Sequence, residues 1–127
     1  MTQADVVKYW REGVREALET GKELMDNKRY NHALFFCHLA VEKQLKAVYV
    51  KKKGEVPPYT HHLIELAEKI NITISKEIRE QLREINTFNL EARYDDYKLK
   101  FYKKATPEYS RNWLRITEEL LIWLENV

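Results

Sequence analysis

The sequence predicts an all-α fold: an antiparallel, up-and-down bundle of four long helices plus one short helix, in a single domain covering residues 1–127. Three observations carry this. Apolar residues recur every three or four positions through almost every segment, and no segment alternates apolar and polar residues as a half-buried strand would. Gly and Pro are scarce, three of each, and the prolines fall between the periodic blocks. A chain of 127 residues, 44% of them apolar, supplies one core and is too short for two ordinary ones.

The first block runs from Ala4 to Asn27, where Val7, Trp10, Val14, Ala17, Leu18, Leu24 and Met25 make one apolar stripe. The second runs from Tyr30 to Lys53. Its main stripe is Ala33, Leu34, Cys37, Val41, Leu45 and Val48, while Phe35, His38, Glu42, Lys46 and Tyr49 fall together on another side at 100° per residue. A helix apolar on one face and mixed aromatic-ionic on the other belongs at the centre of a bundle, with its second face turned to a partner or a site. Pro57 and Pro58 end this pattern. Thr60 is the expected cap of a short helix through "HHLIELAEKI", and Asn71 to Thr73 reads as a turn. Ser75 is the expected cap of a fourth helix bearing Ile78, Leu82, Ile85 and Phe88. The last begins at Thr106, with Pro107 in its first turn and Glu108 near the positive end of its dipole.

Lys and Arg number 22 against 20 Asp and Glu, a net charge of +2, which does not describe a strongly basic nucleic-acid binder but leaves room for local patches. One cysteine excludes an intrachain disulfide. The absence of a leader pattern and of a long apolar run points to a cytoplasmic protein with no membrane span.

The chemistry-bearing residues each have a plain reading beside a sharper one. No Glu-x-x-His pair, His-Glu-x-x-His run or cysteine pair occurs, so neither a metal nor another cofactor is expected, and a hydrogen bond explains His38 and Glu42, four apart. Cys37 sits on the main apolar stripe, where a thiol is inert. Lys51 to Lys53 suit the negative end of the second helix, or contact phosphate. Glu42 and Lys46 have the spacing of a surface ion pair. Arg93, in "NLEARYDDYK", either pairs with Glu91, Asp95 or Asp96, or grips a phosphate with two parallel hydrogen bonds while Tyr94 and Tyr97 stack a base. The residues alone leave these two readings level.

"HALFFCHLAVEKQLKAVYV", a Pro-containing loop, "THHLIELA" and then "LEARYDDY" resemble the HEPN domain family (higher eukaryotes and prokaryotes nucleotide-binding). Ala40 to Ala47 match the family's Ala-x-Glu-Lys-x-Leu-Lys-Ala helix. His62 matches the histidine of a Gly-His-x-Leu element, and Ala92 to Asp96 match an Ala-Arg-Tyr-Pro-Asp stretch with Asp95 in place of its proline. The resemblance implies a bundle of four or five helices, often a homodimer, commonly encoded beside a small nucleotidyltransferase with which some members form toxin–antitoxin pairs. It also implies a ligand site from Glu42, Lys46, His62, Arg93 and Tyr94. Many members are metal-independent ribonucleases that use an arginine followed, after four to six residues, by a histidine. No arginine here has a histidine at that distance; Arg29 and His32, with two residues between them, come nearest. Three functions are therefore open. The favoured one is a HEPN-type domain that binds a nucleotide or nucleic acid and partners a nucleotidyltransferase. The second is a ribonuclease toxin whose acid–base residue is His62 or His38. The third is a structural dimerisation module in which Arg93 and Glu42 form an internal brace.

Overall fold

The computed structural model describes the backbone of residues 1–93 and 95–127 and the side chains of residues 1–89 and 100–127. Six helices follow in order: α1 Gln3–Asp26, α2 Tyr30–Lys53, α3 Leu63–Ile70, α4 Lys76–Arg93, α5 Asp95–Lys104 and α6 Pro107–Glu125. The described residues contain no strand. The four long helices and the short α3 are those the periodicity predicts. α5 is an additional ten-residue helix, for which the sequence offers no start signal and only weak amphipathicity.

Local chemistry explains most of the boundaries. Thr2 and Asp5 close α1 with a reciprocal capping box: Asp5 N donates to Thr2 Oγ1 at 3.1 Å and Thr2 N to Asp5 Oδ2 at 3.0 Å. These bonds to Thr2 also lower the Asp5 pKa below the usual carboxylate value. Gly54, at φ 67°, ends α2 in the left-handed conformation that a residue without Cβ adopts at least cost. The Thr60 cap is corrected by the structure. His62 is the N-cap of α3, its Nδ1 accepting from Glu65 N at 3.3 Å. Thr60 Oγ1 lies two residues too early; it accepts from His62 N and donates to Glu65 Oε2. Ser75 and Thr106 cap α4 and α6 as expected, their hydroxyls accepting from Ile78 N and Tyr109 N.

α2 is the central member and packs against α1, α3, α4 and α6. Its first neighbour is α1, joined by three residues, 27–29. The pair is antiparallel: Gln3 Nε2, at the start of α1, donates to the carbonyls of Val50 and Lys51 near the end of α2. Small residues seat the two helices closely. A Cβ on Gly13 would stand 2.9 Å from Lys43 Cδ, and one on Gly21 3.4 Å from Phe36 Cβ. α6 runs the same way as α2, since Arg111 lies over Tyr30 and Gln44 donates to the Leu121 carbonyl. That alternation is the up-and-down order. The core joins Leu34, Val41, Leu45 and Val48 of α2 to Leu63 and Leu66, Leu82, Ile85 and Phe88, Phe101, and Leu120 and Leu124. Phe88 anchors the far end, against Phe101, Tyr109 and Trp113. Beside it Glu84 accepts from the Tyr109 hydroxyl and pairs with Lys104 at 2.9 Å, tying α4, α5 and α6 together.

Cys37 lies in this core, where burial pushes its thiol up to about 12 and the Thr117 side chain meets it. No described helix is long and apolar enough to cross a membrane.

Candidate functional site

The second face of α2 carries Glu42 and Lys46 into a pocket of the fold that the loop before α3 closes. The expectation of a surface pair is corrected here: their side chains are 7% and 8% exposed, with Lys46 Nζ 3.0 Å from Glu42 Oε2. Trp10 of α1 and the loop before α3 cover the face that a two-helix view leaves open to water. The Lys46 ammonium also lies over the Trp10 ring, 5.6 Å from its centroid, where the π face adds attraction.

The other carboxylate oxygen of Glu42 faces two histidines. His61 Nδ1 is 3.0 Å from Glu42 Oε1, and His38 Nδ1 is 3.8 Å from the same atom. His38 is fully buried and its Nε2 is 3.0 Å from the His61 carbonyl oxygen, so it fixes the loop that carries His61. His61 is different, because half of its side chain is exposed. An Nδ1–H bonded to a carboxylate leaves Nε2 as the ring's outward nitrogen, an acceptor when neutral and a donor when protonated. Tyr59, fully exposed, stands beside it at 6.5 Å between ring centroids.

The carboxylate thus has one buried cation on one oxygen and a half-exposed imidazole on the other. A carboxylate so placed orients a ring and stabilises its protonated form. This arrangement can hold an anion against His61, stack a flat ring on Tyr59, or exchange a proton through Nε2.

Among the residues expected at the site, the structure brings Glu42 and Lys46 together and puts His38 behind them. His62 is exposed and serves as the α3 cap, so it points its Nδ1 at Glu65 N and not at Glu42. Arg93 and Tyr94, with Glu91, Asp95, Asp96 and Tyr97, lie outside the residues whose side chains are described. The sequence reading missed His61. Its signal was the doublet itself: one of two adjacent histidines caps the helix, and its neighbour then projects from the loop. Among the described residues no group of three His, Cys, Asp or Glu side chains is placed to hold a metal ion.

The HEPN domain profile matches residues 7–127, nearly the full length. The chain belongs to the HEPN domain family. The HEPN bundle is seen again in the crystal structure of TT1696 from Thermus thermophilus, at a TM-score of 0.82. That alignment covers 94% of this chain and 96% of the other at 18% identity, so the likeness is one of fold. No curated protein matches this HEPN chain.

Proposed function

We propose that this HEPN domain binds a nucleotide or nucleic acid on the face of α2 where His61 reaches solvent. The observation that carries the reading is the Glu42 carboxylate: buried, neutralised by Lys46 and holding His61 half-exposed beside Tyr59. A protein gains little stability by burying an ion pair that an apolar pair could replace. Placing one under an outward-facing imidazole makes sense when the imidazole has an anion to meet. In this reading His61 and Arg93 hold phosphate, Tyr59 and Tyr94 orient or stack the base, Lys46 supplies a second positive charge behind them, and Glu42 keeps the cations in place. His62 contributes from the adjacent loop position. Membership of the HEPN family supports a homodimer working with a small nucleotidyltransferase in a toxin–antitoxin-like pair.

The test is calorimetric titration of wild type, His61→Ala and Arg93→Ala with ATP and with a short RNA, with thermal unfolding recorded on each. Binding lost in variants of unchanged melting temperature supports the reading. A wild type that binds neither, with Arg93→Ala melting far lower, makes the arginine a brace and removes the reading.

One observation favours ribonuclease activity as the second reading. His61 Nδ1 on a buried carboxylate has the orientation of an acid–base imidazole. His38, buried against the His61 carbonyl, lacks that access. RNA cleavage in EDTA that vanishes in His61→Ala is the result this alternative requires.

A further inference from the structure

The opposite flank of α1 carries a second, separate feature. Lys8, Arg11 and Arg15 stand on one side of the helix and, with Lys51 of α2, line a groove of about 770 Å³ that runs toward the end of α6. Trp10, which covers Lys46, points to the other side of α1, so this groove is distinct from the His61 face.

Its charges are unevenly matched. Two carboxylates, Glu12 and Glu125, share the groove. Lys8 meets Glu12 only at 4.0 Å with both side chains exposed. Glu118, on the next stretch of α6, is taken by Lys22 at 3.2 Å. Arg11, Arg15 and Lys51 make no ion pair among the described residues. Arg11 Nε is closed off from water without an acceptor. In a chain whose net charge is only +2, so many unmatched cations along one groove are a local concentration rather than a general bias.

We infer that this groove binds the phosphate backbone of a single-stranded nucleic acid. The inference rests on the nucleotide or nucleic-acid reading above and deepens it, because it requires a strand and not a mononucleotide. Three features favour that occupant. Arg11 and Arg15 are one turn apart, roughly 6 Å along the axis, and Lys8 extends the row, which suits a repeating anion. Guanidinium groups match phosphate oxygens with paired donors. No aromatic side chain lines the groove, so it offers nothing on which a base would stack and reads charge without sequence.

The experiment is fluorescence anisotropy of a labelled twelve-nucleotide RNA at several salt concentrations, with ATP binding followed separately. The proteins are wild type, Arg11→Gln/Arg15→Gln, Lys51→Gln and His61→Ala. Glutamine keeps helix propensity and length, and circular dichroism melts verify folding. The expected result is an RNA affinity about tenfold lower in the double variant, with the log–log salt slope reduced by about 1.4, while ATP binding is retained. Lys51→Gln, a single exposed change at the last turn of α2, gives a smaller loss in the same direction. RNA binding by the double variant equal to wild type in affinity and slope overturns the groove and leaves the His61 face standing. Wild type that binds ATP but no RNA does the same, whereas wild type that binds neither removes both readings. Tripolyphosphate or poly-L-glutamate displacing the RNA as effectively as unlabelled RNA shows a free-phosphate or acidic-protein site and also overturns the assignment.

Discussion

Glu42 concentrates the physics of the site in one carboxylate. Its oxygens face Lys46 and His61, and it is nearly closed off from water. Removing it leaves the Lys46 ammonium buried without its counter-charge, so Glu42→Ala is expected to cost about 3–5 kcal/mol in urea unfolding. Replacing both partners tells stability from function. Glu42→Leu with Lys46→Met fills the same space without charge and is expected to recover most of that loss. Ligand binding, in contrast, stays lost in the double variant if the pair serves His61. A double variant as unstable as Glu42→Ala would make the pair a structural element, worth more than its apolar equivalent. Legibility at this scale was mixed. The spacing of Glu42 and Lys46 shows in the sequence, yet their burial does not, because it depends on Trp10 and on a loop some twenty residues further along.

The α1–α2 hairpin is the element on which the rest is built, and its seam is made of small residues. At Gly21 an added Cβ would touch Phe36 Cβ at 3.4 Å, ordinary contact that a larger side chain turns into a clash. Gly21→Leu is expected to cost about 1–3 kcal/mol by forcing the helices apart, read as a lowered midpoint in chemical denaturation. Gly13→Ala is the contrasting case. There the added carbon meets only the flexible stem of Lys43, which swings away, and the helix gains up to about 1 kcal/mol from the better helix former. A destabilised Gly13→Ala would show that Lys43 is held more firmly than its exposed surroundings imply. At the start of the same helix, Thr2→Ala removes the capping box and is expected to cost about 1 kcal/mol. Element boundaries were largely legible because capping is local: Ser75 and Thr106 declare themselves, each with its hydroxyl on the backbone three residues on. Thr60 misled because a histidine, a less usual cap, stands nearer the helix start. α5 was hidden because its stripe is weak and its place depends on Phe101 reaching Phe88 across the core.

For the molecule as a whole, the buried thiol of Cys37 reports on global opening. Its folded pKa, about 12, is above the ordinary thiol value of 9.0, so below pH 9 the group is neutral in both states and its contribution to stability is fully present. As pH rises from 9 toward 12 the unfolded chain releases the proton and the folded one does not, and stability is lost across that window. Urea unfolding at pH 8, 9, 10 and 11 is expected to show this decline, with a shallower slope in Cys37→Ala. A thiol reagent at pH 8 is expected to label wild type only at the rate of global unfolding. Rapid labelling of the folded protein would mean that the core between α2 and α6 opens locally.

By itself, the sequence determined that this chain is a single helical bundle, which side of each long helix faces the core, where four of the helices begin, and its HEPN membership. These follow from periodicity, capping and local motif, all of which act over a few residues along the chain. Tertiary structure decided which of two adjacent histidines joins Glu42, that the Glu42–Lys46 pair is buried, that α2 meets four other helices, and that cations from α1 and α2 line one groove. Burial and pairing depend on what a distant segment lays over a side chain, and helical spacing carries no record of that neighbour.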